Sequence, residues 1–137
     1  MSTIKGDLRT WLLGDTGITD IIGQRLFSWP APQNTSFPFA TIQRITEEPQ
    51  ATLSTAHGFV FETWQIDAYA ETDGACETLS EEIRDRMHVT SVQSLTNYTL
   101  YSSSVLSVDD NIELRDDASQ GYVARKAITV YLKRSTT

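Results

Sequence analysis

The chain carries one cysteine, two histidines and no glycine-rich run, and each scarcity removes a class of chemistry. A lone Cys76 forms no intrachain disulfide. Two scattered histidines and one thiol fall short of the four ligands, or three plus water, of a zinc site. All seven glycines are isolated, and none precedes a Lys-Ser or Lys-Thr pair, so no phosphate-cradling loop is present. Positive charge is also scarce: 11 Lys and Arg stand against 18 Asp and Glu, a net charge of −7. Phosphate backbones and anionic membranes are held by Lys and Arg, so this balance disfavours both. It favours solubility and contact with basic surfaces. Lys126, Lys133 and Arg134 are too few to make the basic, aromatic-studded groove of a single-strand binder. No apolar run approaches the roughly 20 residues of a membrane helix. The opening Met-Ser-Thr-Ile-Lys-Gly-Asp has no apolar signal-peptide core, which points to the cytoplasm. In that setting Asn34-Thr35-Ser36 and Asn97-Tyr98-Thr99 are chance matches to the glycosylation pattern.

The remaining candidates for catalysis are explained locally. Cys76 and His88 lie 12 residues apart on one expected helix, roughly 18 Å along its axis, so they cannot form a thiol–imidazole pair. Cys76 falls in the apolar stripe of that helix, the ordinary place of a small buried residue. His88 suits the negative end of the helix, and His57 sits beside Gly58 in a polar stretch. The acidic doublets Glu47-Glu48, Glu81-Glu82, Asp109-Asp110 and Asp116-Asp117 do not make a carboxylate pair for glycoside chemistry. Neighbours on a strand point to opposite faces, and neighbours on a helix diverge by about 100°. The spacing of an EF-hand is absent. The reading is a non-enzymatic chain with no cofactor and no metal.

What is present is one domain over residues 1–137, a size that buries one core. Ile4, Leu8, Trp11 and Leu12 recur at helical spacing. Ser2 or Thr3 is placed to cap that helix, and Gly14 to end it in the left-handed conformation. A short turn of helix is expected over residues 19–22 and a short strand over 25–29. Pro30, Pro32 and Pro38 then enforce an extended loop. Residues 39–47 and 59–69 read as strands, the first stopped by Pro49. Val60, Trp64, Ile66 and Ala68 share one face of the second, and Phe59, Phe61 and Tyr69 the other. A strand apolar on both sides is covered on both sides, here by a second subunit. Thr72 or Asp73 opens a helix over residues 75–87 whose stripe is Cys76, Leu79, Ile83 and Met87. Strands follow at residues 92–95, 98–108, 112–115 and 122–133, with Asp109-Asp110-Asn111 as a turn signal. The expected fold is α+β: a mostly antiparallel sheet with two main helices packed on it.

The ordered set of segments resembles the tail completion, or tail terminator, proteins of long-tailed bacteriophages and gene transfer agents. Residues 8–13 and 17–27, ending in Gly23-Gln24-Arg25-Leu26-Phe27, resemble the family's opening helix and first strand. Residues 31–45 resemble its proline-rich lead into the next strand. Trp64-Gln65-Ile66-Asp67-Ala68-Tyr69-Ala70 with Ala75, Leu79 and Ile83 resembles its strand-to-helix junction, and residues 122–132 its closing strand. The resemblance implies a homo-hexameric ring that caps the tail tube, meets the head–tail connector or stopper, and lets DNA pass through its channel. It implies no catalytic residues. It also implies a place in the tail or neck of the virion after assembly in host cytoplasm. Another neck ring subunit is the nearest alternative, and a small ligand-binding domain or enzyme the alternative from another class.

Two groups of residues become candidates for that assembly. Residues 47–58 are long for a hairpin loop, where about 2 to 5 residues are usual. Gln50, Ala51, Thr52, Leu53, Ser54 and Thr55, with Phe59 and Phe61, are the expected interface. Glu47, Glu48, Asp109, Asp110, Asp116 and Asp117 are expected in loops or strand ends, as candidates to line a channel and repel DNA phosphates over a Debye length of about 8 Å.

Overall fold

The computed structural model describes residues 3–51, 56–114 and 122–135. The fold is α+β. Two helices come first, α1 (Ile4–Leu13) and α2 (Thr16–Ile22), followed by β1 (Leu26–Ser28), β2 (Phe39–Ala51) and β3 (Ala56–Ala70). Then come α3 (Asp73–Met87), β4 (Gln93–Ser94), β5 (Thr99–Leu114) and β6 (Tyr122–Ser135). The sheet has six strands in the order β1-β2-β3-β6-β5-β4. The β1–β2 pair is parallel, and the other four pairings are antiparallel. Ile4–Leu13 and Asp73–Met87 are the two long helices, and α2 adds a third, shorter one.

Local chemistry accounts for these boundaries. The Thr3 hydroxyl accepts from the Gly6 N–H and opens α1. Gly14 closes α1 at φ −76°, in the right-handed region, which corrects the left-handed ending expected of it. The chain turns there because the Asp15 carboxylate accepts from Gly17 N–H at 2.8 Å and starts α2 at once. Gly23, after α2, is at positive φ, 60°. The Thr72 hydroxyl accepts from Ala75 N–H and caps α3.

Ile4, Leu8 and Leu12 of α1, Ile18 and Ile22 of α2, and Cys76, Leu79, Ile83 and Met87 of α3 all enter one core. They pack on Ala40 and Ile42 of β2, Trp64, Ile66 and Ala68 of β3, and Ile128, Val130 and Leu132 of β6. The shared faces expected for β3 and α3 are those observed. Buried charge also ties the elements together. The Asp7 carboxylate, 4% exposed, accepts from the backbone N–H groups of Asn97 and Tyr98 at 2.6 and 3.0 Å, fixing α1 to the start of β5.

Two expected interruptions are continuous strand. β2 runs through Pro49 to Ala51 and β3 begins at Ala56, so residues 47–51 and 56–58, expected in a loop, lie in strands. Pro49 pairs with Val60 beyond the stretch of β2 that β1 covers, an edge position at which proline is tolerated. Likewise Asp109, Asp110 and Asn111 lie inside β5, opposite Ala127, Lys126 and Arg125. The Asp110–Lys126 ion pair across the strands outweighs their turn preference. Glu47, Glu48, Asp109 and Asp110 therefore sit within strands, which corrects their expected place in loops or strand ends. Thr52, Leu53, Ser54, Thr55, Asp116 and Asp117 lie outside the described residues.

Candidate functional site

The helices cover one face of the sheet; among the described residues no helix packs on the other. The expected interface residues Phe59 and Phe61 lie on that second face, half-buried. Their rings meet edge to face at 5.8 Å between centroids, and Phe61 stacks on Tyr131 at 5.5 Å. Lys133 Nζ lies 4.2 Å from the Phe59 ring centroid and 5.5 Å from that of Tyr101. A lone charge over aromatic faces is held electrostatically by their quadrupoles. At the opposite end of the same face Phe39 stacks on Tyr69 at 4.6 Å, with Phe27 and Phe37 beside them. Between the aromatic groups lies a polar strip, in which Asp67 accepts from Arg125 at 3.0 Å and from Gln65 at 2.9 Å.

The acidic candidates divide between the two faces. Glu48 is opposite Phe61, on the bare face, where burial and the nearby Glu48 carboxylate raise the pKa of the Tyr131 phenol. Asp109 is exposed opposite Ala127, also on the bare face, and accepts from the Ser107 hydroxyl at 3.3 Å. Glu47 and Asp110 point the other way and are tied to buried cations. Gln50 and Ala51 are in β2, the latter opposite Ala56.

Two buried charge clusters went unread in the sequence. Glu62 is 0% exposed and accepts from Arg134 Nε at 2.7 Å, Arg134 Nη2 at 3.1 Å, Arg44 Nη1 at 2.9 Å and Trp64 Nε1 at 3.1 Å. Burial raises its pKa, but the hydrogen bonds from Arg134, Trp64 and Arg44 outweigh that and hold the carboxyl below its ordinary value. Arg134 also bonds Glu47 at 3.1 Å, so the cluster links β2, β3 and β6 near the root of the β2–β3 hairpin. The second cluster centres on Lys126, 2% exposed, whose Nζ lies 2.8 Å from Asp110, 3.0 Å from Glu77 and 3.2 Å from Asp73. These contacts, Asp110 foremost, raise the ammonium pKa above its ordinary value and clamp α3 to β5 and β6. A signal for both clusters was present: Glu62 alternates with Val60 and Trp64, and Lys126 and Arg134 alternate with Ile128, Val130 and Leu132.

Cys76 is fully buried, its thiol donates to the Ala68 carbonyl at 3.2 Å, and burial pushes its pKa up to about 11. His88 lies beyond the end of α3 in a shallow open groove with Trp11, Asp15, Asp85, Arg86 and Gln93. There Arg86 stacks on the Trp11 ring at 3.6 Å and donates to the Trp11 carbonyl. Among the described residues no three His, Cys, Asp or Glu side chains gather as a metal site.

Known proteins place this architecture. The fold is similar to that of a chain in the virion of a native gene transfer agent particle, with a TM-score of 0.65 and 11% sequence identity over 98% of this chain and 99% of that one. No curated protein matches the chain. The family model described as tail completion protein gp17 matches residues 6–129, from α1 into β6. The chain therefore belongs to the tail completion protein gp17 family, structural proteins of the virion tail.

Proposed function

We propose that this chain is one subunit of a ring, six-fold by its resemblance, that caps the tail tube, joins it to the neck and leaves a bore for DNA. The observation that carries the reading is the placement of two hairpins on one sheet. β2 and β3 extend past β6, whose last residue Ser135 pairs with Phe59. β5 and β6 extend past β3, whose last residue Ala70 pairs with Ala124. Because β2 and β5 run in opposite directions through this sheet, the two hairpins leave it at opposite ends. One subunit thus reaches two different neighbours along an axis.

On this reading the β2–β3 end, with Gln50, Ala51 and residues 52–55, meets the tail tube. The β5–β6 end meets the connector or stopper. The bare face with Phe59 and Phe61 turns toward other subunits. Of the acidic candidates, Asp109 has the freest carboxylate among the described residues and is the best placed to face passing phosphates. Asp116 and Asp117, between β5 and β6, belong to the same proposal. Glu47 and Asp110 are engaged by Arg134 and Lys126, so they hold the fold first, and Glu48 lies beside Tyr131.

A cap ends growth at the tip of a tube. Particles made without this protein are expected as full heads detached from tubes of uncontrolled length, with normal attachment restored by supplying the purified chain. Tubes of normal length, joined to heads in its absence, would contradict the proposal.

A further inference from the structure

The two side rims of the sheet carry opposite charge on the helix-covered face. At the β1 rim the charge is positive. Lys5 and Arg9 stand one turn apart on α1, both half-buried, and lean over β1. The Lys5 ammonium donates to the Ser28 hydroxyl at 3.0 Å. Arg9 Nε donates to the Leu26 carbonyl at 2.9 Å, and Nη2 to the Gln24 carbonyl at 3.0 Å. The Arg25 carbonyl accepts from Ala40 N–H, and Trp29 N–H donates to the Ile42 carbonyl, so alternate residues along β1 address β2. The Leu26 carbonyl belongs to the other set and points away from β2, which puts Arg9 at the rim. Among the described residues neither cation has a carboxylate partner.

At the β5 rim the charge is negative. Asp110 of β5 and Asp73 and Glu77 of α3 share one buried ammonium, Lys126. Three carboxylates on one cation leave negative charge in excess. Their side chains are half or more exposed, so they present it to solvent. Lys126 pins all three, so they are ordered before a partner arrives. The two rims are also level. Leu26 pairs with Ala40, Ala40 with Ala68, Ala68 with Lys126, and Lys126 with Asp110, a single row across five strands. Both charged groups lie on the same face, because Leu26 and Ala68 enter the core beneath the helices and Lys126 shares the register of Ile128 and Val130.

We propose that Lys5 and Arg9 of one copy dock on Asp73, Glu77 and Asp110 of the next. The inference rests on the ring reading and names a contact within it. In a ring whose axis follows the strands, the cross-strand rows run around the circumference. A neighbour in the same orientation then meets the cationic rim with its acidic rim, at one level and on one face. The contact is made by side chains alone, since Arg9 already holds the outward carbonyl of Leu26 and no strand is added to β1. Asp109 points to the bare face and stays outside the contact. Two different patches meet, so the contact is heterologous and propagates head to tail until rotation closes it. Its charges lie at the rim of the subunit, so its strength falls as salt rises.

A water-soluble carbodiimide joins an amine to a carboxylate with no spacer and tests the contact in assembled particles. Within one chain β1 lies three strand spacings from β6 and four from β5, about 14 and 19 Å. A direct amide cannot span that, so a link from Lys5 to Asp73, Glu77 or Asp110 joins two copies. Mass spectrometry of digested particles is expected to find that link, and the free monomeric chain to lack it. Lys5→Glu gives up only the Ser28 hydroxyl within the chain, so it is expected to fold normally. Added to unjoined heads and tails, it is expected to join them about tenfold less well than native protein, with the gap narrowing at high salt. Lys5→Arg keeps the charge and is expected to join them normally. Normal rings in which Lys5 links to none of the three acids, with Lys5→Glu as effective as native protein, would overturn the contact and leave the ring intact. Particles imaged with single copies of the subunit would overturn both.

Discussion

Glu62 gives the sharpest energetic test of the fold. Its carboxylate is fully enclosed and accepts four hydrogen bonds, three of them from two guanidinium groups. Replacing it by glutamine keeps the shape but removes the charge, and turns an N–H donor toward donors. Arg134, 6% exposed, is then left with Glu47 and the Ser135 carbonyl as its anionic and polar partners. Breaking one side of a buried pair costs about 3–5 kcal/mol. Glu47 is 38% exposed and compensates in part, so the expected loss is near the lower end, about 3 kcal/mol. In urea, with a slope of about 1–3 kcal/mol per molar, the midpoint falls by about 1 M or more. Glu62→Gln/Arg134→Met, which removes the orphaned charge as well, is expected to be more stable than Glu62→Gln alone. The pH dependence follows from the lowered carboxyl pKa. The stability Glu62 contributes is complete above its ordinary value of 4.5 and is lost as pH falls through the lower folded value. The gap between native protein and Glu62→Gln therefore narrows below about pH 4.5. A loss under about 1 kcal/mol at neutral pH, or a gap that widens in acid, would refute the assignment of Glu62 as a buried anion.

Two further outcomes follow. Lys126→Met keeps most of the buried stem but leaves Asp73, Glu77 and Asp110 facing one another; since these are half or more exposed, the expected loss is about 1–2 kcal/mol. The raised ammonium pKa makes that contribution complete below pH 10.5 and lost above it, so chemical denaturation at pH 8 and pH 11 is expected to show a smaller gap at the higher pH. Cys76 is expected to react with an aromatic disulfide reagent only as fast as the chain unfolds, since its thiol is buried and its pKa stands near 11; rapid labelling of native protein would count against its place in the core.

Periodicity made most of the frame legible. The stripes of α1 and α3 and the alternation of β3 and β6 identify both long helices and the central pair of strands, with the correct inward residues. Punctuation residues misled. Pro49 and Asp109-Asp110-Asn111 read as stops, yet both lie in strands, because an outer edge tolerates proline and Lys126 neutralises Asp110. The parallel pairing of β1 with β2 has no local signal, since three residues of strand carry no direction. Buried ions were the largest omission in the candidate site. The burial of Asp7, Glu62, Lys126 and Arg134 is not among the expectations drawn from the sequence, although three of them occupy the apolar register of their strands. The bare face was anticipated from Phe59 and Phe61, but Tyr131, Lys133 and Tyr101 join them only through cross-strand pairing.

The most direct measurement is a cryo-electron microscopy reconstruction of the particle neck without imposed symmetry. The account predicts a closed ring of this chain at the head-proximal end of the tail tube, its β2–β3 and β5–β6 hairpins pointing to opposite sides of the ring. Isolated copies of the chain, or its absence from that end of the tube, would contradict it.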